Sequence, residues 1–217
     1  MDPQNMMIRN GYSDKSGNTI NASESCKIGD ATATFNDKNS RVNIGPRSNI
    51  SGSTFNLGTN STLTIGEDCK FSGTITVGAY SSVTIGNRLS VTRNMSIRAV
   101  EATNVAIGND CLIATDVILR TTDGHPIYDR DSRERLNASQ DIVIKDHVWL
   151  ADQSIILKGV TCGPSSVVAI RSVVTRDVPP YSIVAGIPAK VIRDNVVWEH
   201  THGVYSEEYY NLKQSTK

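Results

Sequence analysis

Hydrophobic residues recur at every sixth position along most of this 217-residue chain. The clearest runs are Ile65, Phe71, Val77 and Val83, then Ile107, Ile113 and Leu119, and then Ile144, Leu150, Ile156, Cys162, Val168 and Val174. A period of six fits neither the 3.6 of an α-helix nor the two of an ordinary strand. It fits a coil with three flat faces, each giving one short strand and one corner. Hexapeptide repeats are typical of a parallel β-helix.

The repeat also predicts the interior of each coil. The hydrophobic residue points inward and stacks on its counterpart in the next coil, about 4.8 Å away. A compact inward residue follows four positions later, and glycine beside a corner tolerates the tight backbone there. The compact positions are Ser48, Cys69, Ser81, Cys111 and Ser154. Coils between residues 17 and 192 would number roughly nine, in a prism on the order of 45 Å tall.

Three breaks in the repeat divide the chain. Residues 1–16 are polar and unpatterned, which predicts an N-terminal arm or cap. Residues 17–193 form the predicted β-helix domain, and residues 194–217 form a tail with a short helical segment. Between Leu119 and Ile142 the repeat stops for about four coil faces, which predicts an inserted loop at about 120–141.

The inserted loop carries the best candidate for catalytic chemistry. It is highly charged and contains His125, one of only four histidines in the chain. Pro126 fixes its own backbone and restricts His125 to an extended conformation, which aims the imidazole. The unperturbed pKa of histidine lies near neutrality, so His125 is suited to act as a general base. Asp123 and Asp129 are candidates to orient its ring, although a solvated loop acid is the simpler interpretation of each.

Composition excludes several classes of partner. The 22 basic and 22 acidic side chains cancel, so bulk charge indicates neither a nucleic acid nor a membrane partner. No apolar run is long enough to span a bilayer, and the N-terminus lacks a secretory pattern. The four cysteines show no CxxC spacing, so we expect buried thiols in a cytoplasmic protein and no metal.

The last third of the chain carries motifs that resemble a known family. They are Val148-Trp149, the double proline Pro179-Pro180, and Val184-Ala185-Gly186-Ile187-Pro188-Ala189-Lys190-Val191-Ile192. They resemble the closing coils of hexapeptide-repeat acetyltransferases, which are left-handed parallel β-helices that use acetyl-CoA. The resemblance covers about residues 25–193. It supplies the left hand, since parallel crossovers are otherwise right-handed.

Within that family, the loop sequence from Asp123 to Asp129 is similar to enzymes that acetylate sugar hydroxyls of surface glycans. The overall pattern resembles bacterial capsular polysialic acid (sialate) O-acetyltransferases; another glycan or a small sugar is the alternative acceptor. The resemblance implies a homotrimer with active sites between subunits, His125 as general base, and Trp149 at the acetyl end of acetyl-CoA. The indole of Trp149 is a hydrogen-bond donor only.

The resemblance also implies binding residues for acetyl-CoA. Backbone N–H groups near Ala151 are candidates to bind the oxyanion or the pantetheine arm. The expected acetyl-CoA contacts are Trp149, the small residues Ala151, Ala169 and Ser172, and the basic residues Arg171, Lys190 and Arg193 near the ribose phosphate. The local excess of basic side chains, and not the resemblance, gives the expected contacts with an anionic polysaccharide: Tyr128, Arg130 and Arg133 in the loop and Arg88 and Arg93 on the prism wall. His147 is expected at an exposed corner.

Two other functions fit a prism of this kind less well. A metal enzyme on the same coil, like the carbonic anhydrases of left-handed β-helix type, needs three histidines on a zinc-like ion, and no suitable spacing is present. A structural or surface-binding prism, such as an ice-binding coil, would carry persistent threonine ranks. The short ranks at residues 62–64 and 74–76 do not persist. The long loop with His125 also argues against a passive scaffold.

Overall fold

The computed structural model describes residues 5–212, which form three mainly parallel sheets wound into one prism. Sheet A contains β1 (Asn5–Met7), β4 (Thr32–Phe35), β6 (Ser53–Leu57), β8 (Gly73–Val77), β11 (Met95–Ala99), β14 (Ile118–Arg120), β17 (Ile155–Ile156) and β20 (Val173–Val174). Sheet B contains β2 (Tyr12–Ser13), β3 (Thr19–Ala22), β5 (Arg41–Ile44), β7 (Thr62–Ile65), β9 (Ser82–Ile85), β12 (Asn104–Ile107), β15 (Ile142–Ile144) and β18 (Thr161–Cys162).

Sheet C contains β10 (Ser90–Arg93), β13 (Leu112–Thr115), β16 (Trp149–Leu150), β19 (Val167–Val168), β21 (Ser182–Gly186) and β22 (Ala189–Asp194). From β8 to β20 the chain visits sheets A, B and C in turn, so that these coils have A–B, B–C and C–A corners. In the earlier coils the third face has only the isolated bridges that join Lys27, Asn49, Lys70 and Ser90. A 3₁₀-helix, Glu207–Asn211, follows in the tail. The predicted parallel β-helix is confirmed.

The coils are longer and fewer than the repeat predicted. Val42 pairs with Leu63 and Leu63 with Val83, so these N-terminal coils take 21 and 20 residues. Ile144 pairs with Cys162 after 18 residues, which is the length that three hexapeptides give. About seven coils therefore stack in the structure, and the prism is on the order of 35 Å tall. The prediction of nine coils was wrong, because residues beyond 18 per coil lie at the corners and lengthen the coils.

The interior follows the prediction closely. Phe71, Val77 and Val83 are at most 1% exposed, as expected for inward stacking residues. All five compact positions are also buried. At least one of these polar side chains has a hydrogen-bond partner, since the Ser48 hydroxyl donates to the Gly66 carbonyl at 2.8 Å. The narrow interior therefore holds one hydrophobic and one compact residue per face.

The four cysteines are free thiols. Cys69, Cys111 and Cys162 are buried in the coil interior, as predicted. Burial raises the pKa of the Cys111 thiol to about 12, so this thiol stays protonated. Cys26 is only half-buried, which corrects the expectation that all four are buried. Its sulfur lies 3.0 Å from the Gly45 carbonyl oxygen at an early corner.

Corner glycines are required by close approach between coils. Gly45, Gly66 and Gly86 lie outside the left-handed backbone region, so they do not supply the tight turn that we expected of them. A Cβ atom on Gly66 would lie 2.5 Å from the Gly86 carbonyl oxygen in the next coil. The left-handed conformation is taken two residues later, where side chains such as Asp68 have positive φ. Glycine is therefore needed because the coils pack backbone against backbone.

Antiparallel strands close both ends of the described prism. Strand β1 pairs with β4, and β2 pairs with β3, so residues of the predicted N-terminal arm lie on the first coils. Strand β22 pairs with β21 at the other end. Residues 1–4 of the arm and 213–217 of the tail lie outside the described residues. The domain boundaries at 16 and 193 stay predictions.

We expect Gly66→Ala to lower the free energy of unfolding by about 1–3 kcal/mol, because the new methyl group meets backbone that cannot move freely. Thr64→Ala, on the outer face two residues earlier, is the matched control and should change stability by less than about 0.5 kcal/mol. Urea unfolding monitored by circular dichroism measures both. Equal midpoints for the two variants would contradict the close-approach explanation.

Candidate active site

The inserted loop leaves the prism after β14 and returns at β15, at the A–B corner. Its outer part is a hairpin in which Tyr128 forms a bridge with Arg135 and the Asp129 N–H donates to the Glu134 carbonyl at 2.8 Å. The Arg135 guanidinium and the Ser139 hydroxyl both donate to the Glu101 carboxylate, at 2.7 and 2.8 Å. These bonds lower the pKa of Glu101 and tie the hairpin to the preceding coil.

His125 lies in this loop with its side chain exposed. Its carbonyl accepts a hydrogen bond from the Asn137 amide at 2.8 Å. The Asp123 carboxylate accepts from Lys158 at 2.5 Å and from Asn137 at 2.9 Å. Asp129 accepts the N–H groups of residues 131 and 132. Within residues 5–212, neither carboxylate bonds to the imidazole, so the suggestion that one of them orients the ring is not supported.

Trp149 begins β16 on the outer surface of sheet C, while Leu150 fills the interior. This outward direction is the predicted one. Sheet C is the face opposite the A–B corner, from which the His125 loop departs. The two predicted catalytic side chains of one chain therefore lie on opposite sides of the prism.

The structure corrects two of the expected acetyl-CoA contacts. The Ala151 N–H donates to the Val168 carbonyl at 2.9 Å, because the parallel ladder uses it, and so it is not a free oxyanion donor. Ser172 is fully buried, and its hydroxyl accepts the Gly186 N–H at 3.1 Å. Ala169 is half-buried, and its N–H also belongs to the ladder. The N–H groups of Ala151 and Ala169 and the hydroxyl of Ser172 are therefore already bonded within the chain.

The expected basic contacts lie on the last coils of the prism. Lys190 and Arg193 are exposed on β22, the edge strand of sheet C. Arg171 is exposed at a C–A corner, where its guanidinium donates to the Gln153 side chain at 2.7 Å. All three expected cations are therefore exposed at this end of the prism.

The expected polysaccharide contacts lie at three different corners of one chain. Tyr128, Arg130 and Arg133 are exposed on the loop hairpin at the A–B corner. Arg93 ends β10 at a C–A corner. Arg88 lies at a B–C corner, where two of its nitrogens donate to the Asp110 carboxylate at 2.6 and 2.7 Å. Arg88 therefore already has a counter-ion, which corrects its expected role as a free cation.

The tail folds back onto a B–C corner and buries His147. This histidine is fully buried, which corrects the expectation of an exposed corner residue. Its ring is stacked between Trp198 and Tyr209, with centroid distances of 4.0 and 3.5 Å. His147 Nε2 donates to the Trp198 carbonyl at 2.8 Å, and Trp198 Nε1 donates to the His147 carbonyl at 2.7 Å. Trp198 also lies 6.0 Å from the Trp149 ring, so the tail reaches the edge of the candidate site.

Sequence reasoning missed this aromatic contact for a physical reason. A corner residue with φ of 56° is normally exposed, and nothing near His147 in sequence covers it. The signal in the sequence was the set of aromatic residues in the tail, above all Trp198 and Tyr209. A large amphipathic side chain in such a segment usually marks a docking contact.

Burial lowers the pKa of His147, while its bond to the Trp198 carbonyl acts in the opposite direction. Its Nδ1 atom has no hydrogen-bond partner in the described part of the chain. His200 lies edge-on to the ring and opposes protonation, whereas Asp110 favours it. The neutral ring therefore stabilises the docked tail, and this contribution is present above the unfolded pKa of about 6.5 and is lost as the pH falls below it.

We expect the tail to detach on acidification below about pH 6.5, because His147 binds a proton once the tail has undocked but not while the tail covers it. Chymotryptic cleavage in the tail, followed from neutral to mildly acidic pH, measures the detachment. His147→Gln keeps an N–H donor without titrating, so its cleavage rate should change far less over the same range. Equal protection of the wild-type tail at both ends of the range would contradict the docking role of His147.

The described residues contain no group of three histidine, cysteine, aspartate or glutamate side chains placed to hold a metal ion. The 3₁₀-helix is too short to cross a membrane, and no other helix occurs between residues 5 and 212.

Comparisons with known proteins agree with this architecture. A scan against protein-family models finds no match. The chain is 34% identical to a polysialic acid O-acetyltransferase of Neisseria meningitidis over 184 residues, which are 83% of this chain and 85% of that protein. It is 39% identical over 137 residues to a polysialic acid O-acetyltransferase of Escherichia coli O1:K1. That match takes in 63% of this chain but spans only 44% of the longer relative.

Solved structures show the same fold. A polysialic acid O-acetyltransferase superposes with a TM-score of 0.79 at 31% identity, covering 87% of this chain and 91% of that one. A galactoside acetyltransferase in complex with coenzyme A superposes with a TM-score of 0.51 at 31% identity, over 63% of this chain and 66% of that one. The chain therefore belongs to the hexapeptide-repeat O-acetyltransferases, the left-handed β-helix enzymes that use acetyl-CoA and include polysialic acid O-acetyltransferases.

Proposed function

We propose that this protein transfers the acetyl group of acetyl-CoA to a hydroxyl of sialic acid units in a bacterial capsular or surface polysaccharide. The observation that carries the proposal is the exposed His125 on an ordered, hydrogen-bonded loop, in a chain whose relatives along most of its length are polysialic acid O-acetyltransferases. Its four free cysteines support a cytoplasmic location.

His125 performs the proton transfers in this proposal. Its imidazole accepts the proton of the sugar hydroxyl as the oxygen attacks the thioester carbonyl, and a tetrahedral intermediate forms. Collapse of the intermediate breaks the C–S bond. The imidazolium returns its proton to the coenzyme A thiolate, so the products are the O-acetyl sugar, coenzyme A and the free base.

Trp149 is the proposed donor to the oxyanion. The Ala151 N–H is already bonded within sheet C, whereas the Trp149 indole lies half-exposed on the outer face. An indole N–H donates and cannot accept, which suits a group that develops negative charge. The exposed cations Arg171, Lys190 and Arg193 at the same end of the prism support binding of the phosphates of acetyl-CoA.

We propose that the active site is shared between copies in a homotrimer. The outer row of sheet C becomes apolar in the later coils, where consecutive strands align in register. This row consists of Leu112, Trp149, Val167 and Ile183. The outer row of sheet A in the earlier coils is polar, with Thr32, Thr54, Thr74 and Ser96. Such apolar rows support packing against another copy, with acetyl-CoA in the groove between them.

The loop supports the same arrangement. Ile127 and Leu136 on its hairpin are 54% and 65% exposed, which is unusual for large apolar side chains in an ordered segment. Packing of the loop against the outer face of sheet C in a second copy would cover them. In that arrangement His125 of one copy meets Trp149 of the partner subunit, and this pairing overcomes their separation within one chain.

The acceptor would lie along the loop hairpin. Tyr128, Arg130 and Arg133 are exposed in the same loop as His125 and present one ring and two cations. Each sialic acid unit carries a carboxylate, so a basic hairpin suits a polymer of such units. Mass spectrometry of sialic acid oligomers after incubation with acetyl-CoA tests the proposal. A gain of acetyl on sialic acid units supports it, and acetylation of neutral glycans alone would favour the alternative acceptor.

We expect His125→Ala to lower kcat by about 10²–10⁴-fold while the affinity for acetyl-CoA stays near that of the wild type, because only the proton transfer is lost. Asp131→Asn, an exposed change in the same hairpin, is the control and should leave kcat within about two-fold. Thiol release from acetyl-CoA measures kcat, and calorimetry measures binding. A kcat of His125→Ala within a few-fold of wild type would remove His125 from the mechanism.

We expect Arg130→Gln and Arg133→Gln to raise the KM of an anionic acceptor without changing that of acetyl-CoA. The acceptor KM of the wild type should also rise with salt, because the cations would bind carboxylates. Arg88→Gln is the matched control, since its guanidinium is already paired with Asp110. An equal rise in KM for Arg88→Gln would show that the acceptor does not select the hairpin cations.

A further inference from the structure

We infer that Asn137 is the positioning residue that fixes His125 for proton transfer. This inference rests on the proposed role of His125 as general base. Asn137 is 8% exposed and lies inside the loop, beneath the segment that carries the histidine. Nothing in the sequence motif around His125 points to it, because it lies twelve residues later.

The Asn137 carboxamide holds three alternate residues of that segment. Its amide nitrogen donates to the His125 carbonyl at 2.8 Å and to the Asp123 carboxylate at 2.9 Å. Its amide oxygen accepts the Ile127 N–H at 2.6 Å. Both N–H groups and the carbonyl of the side chain are therefore used, all on one short stretch of backbone.

The three bonds fix the backbone on both sides of Pro126. Proline has no N–H and a locked φ, so it adds rigidity without a bond of its own. The bond to Ile127 holds the chain after the proline, and the bond to the His125 carbonyl holds the chain before it. With the backbone held, the orientation of the imidazole depends only on the two side-chain torsions of His125.

Lys158 connects this carboxamide to the β-helix. Its ammonium group donates to the Asp123 carboxylate at 2.5 Å and to the backbone carbonyl of Asn137 at 3.1 Å. Lys158 lies at the A–B corner directly after β17, in the coil that follows the loop. The ammonium bond is the largest cause of the lowered pKa of Asp123, so the carboxylate stays ionised and the bonds stay charge-assisted.

Backbone positioning matters here because no carboxylate among the described residues orients the imidazole directly. Asp123 and Asp129 are both engaged elsewhere. A displacement of about 1 Å at a reacting group commonly costs about 10²-fold in rate. Asn137 therefore carries the alignment that a carboxylate partner carries in other histidine bases.

The test uses Asn137→Asp, which keeps the shape and the acceptor for Ile127 but removes both N–H donors and adds a charge beside Asp123. We expect kcat to fall by about 10–100-fold with the KM of acetyl-CoA within about two-fold of wild type. Ser139→Ala is the control, because it removes a different loop bond, to Glu101, and leaves the His125 segment untouched. Its kcat should stay within about three-fold of the wild type.

Two further variants separate positioning from simple loop order. In the His125→Ala background, Asn137→Asp should cause no additional loss of kcat, because the two changes act through one group. The exchange Asp123→Asn with Asn137→Asp restores a bond between the two side chains in the reverse direction but not the donor to the His125 carbonyl. We expect trypsin to cut at the loop arginines faster in Asn137→Asp than in the wild type. The exchange variant should regain resistance to trypsin while its kcat stays low.

The outcomes are distinguishable. A wild-type protein that transfers acetyl to no glycan would overturn the proposed function, and the positioning role with it. An active wild type with Asn137→Asp at full kcat would overturn the positioning role alone. Additive losses in the His125→Ala background would overturn it too, as would recovery of kcat in the exchange variant, because either result would mean that Asn137 only orders the loop.

Discussion

The close stacking of one coil on the next is the constraint on which the rest of this structure depends. Neighbouring strands lie about 4.8 Å apart, and the corner backbones approach so closely that a Cβ on Gly66 would meet the next coil. The interior is consequently narrow and filled, and the ladders use backbone donors such as the Ala151 N–H. A prism of this kind has no interior pocket for chemistry. Function must come from what departs from the coil: a loop, outward side chains and a tail.

The described prism divides its outer surface along its length. On sheet A the outer row changes from Thr54 and Thr74 in the early coils to Ile118 and Ile155 in the later coils. The later coils also present a tryptophan and aliphatic side chains on sheet C. The inward-facing residues follow the same pattern in the early and the later coils, so the folding of a single chain does not require their outer surfaces to differ. It is the expected result if the later coils alone are covered by another copy. The loop with His125 emerges where this change occurs, between β14 and β15.

The features that were predictable from sequence are those fixed by local repetition. The inward residues, the loop insertion and the outward direction of Trp149 all follow from counting in sixes. The coil number was wrong because corner insertions keep the inward pattern but lengthen each coil.

Contacts between distant segments could not be predicted in this way. His147 is buried by a tail some fifty residues later, and Asn137 bonds across a hairpin to His125. The engagement of Arg88 by Asp110 likewise joins corners of successive coils. Periodicity places each residue on a face or a corner, but it does not indicate which side chain from elsewhere will meet it.

The central claim is that each active site combines His125 of one copy with Trp149 of the partner subunit, and subunit mixing tests it most directly. His125→Ala and Trp149→Ala are each expected to be nearly inactive. If the two variants are unfolded together, refolded as a mixture and assayed, about a quarter of the sites should contain both wild-type residues, and about that fraction of wild-type kcat should return. A mixture that stays as inactive as either variant alone would contradict the shared site.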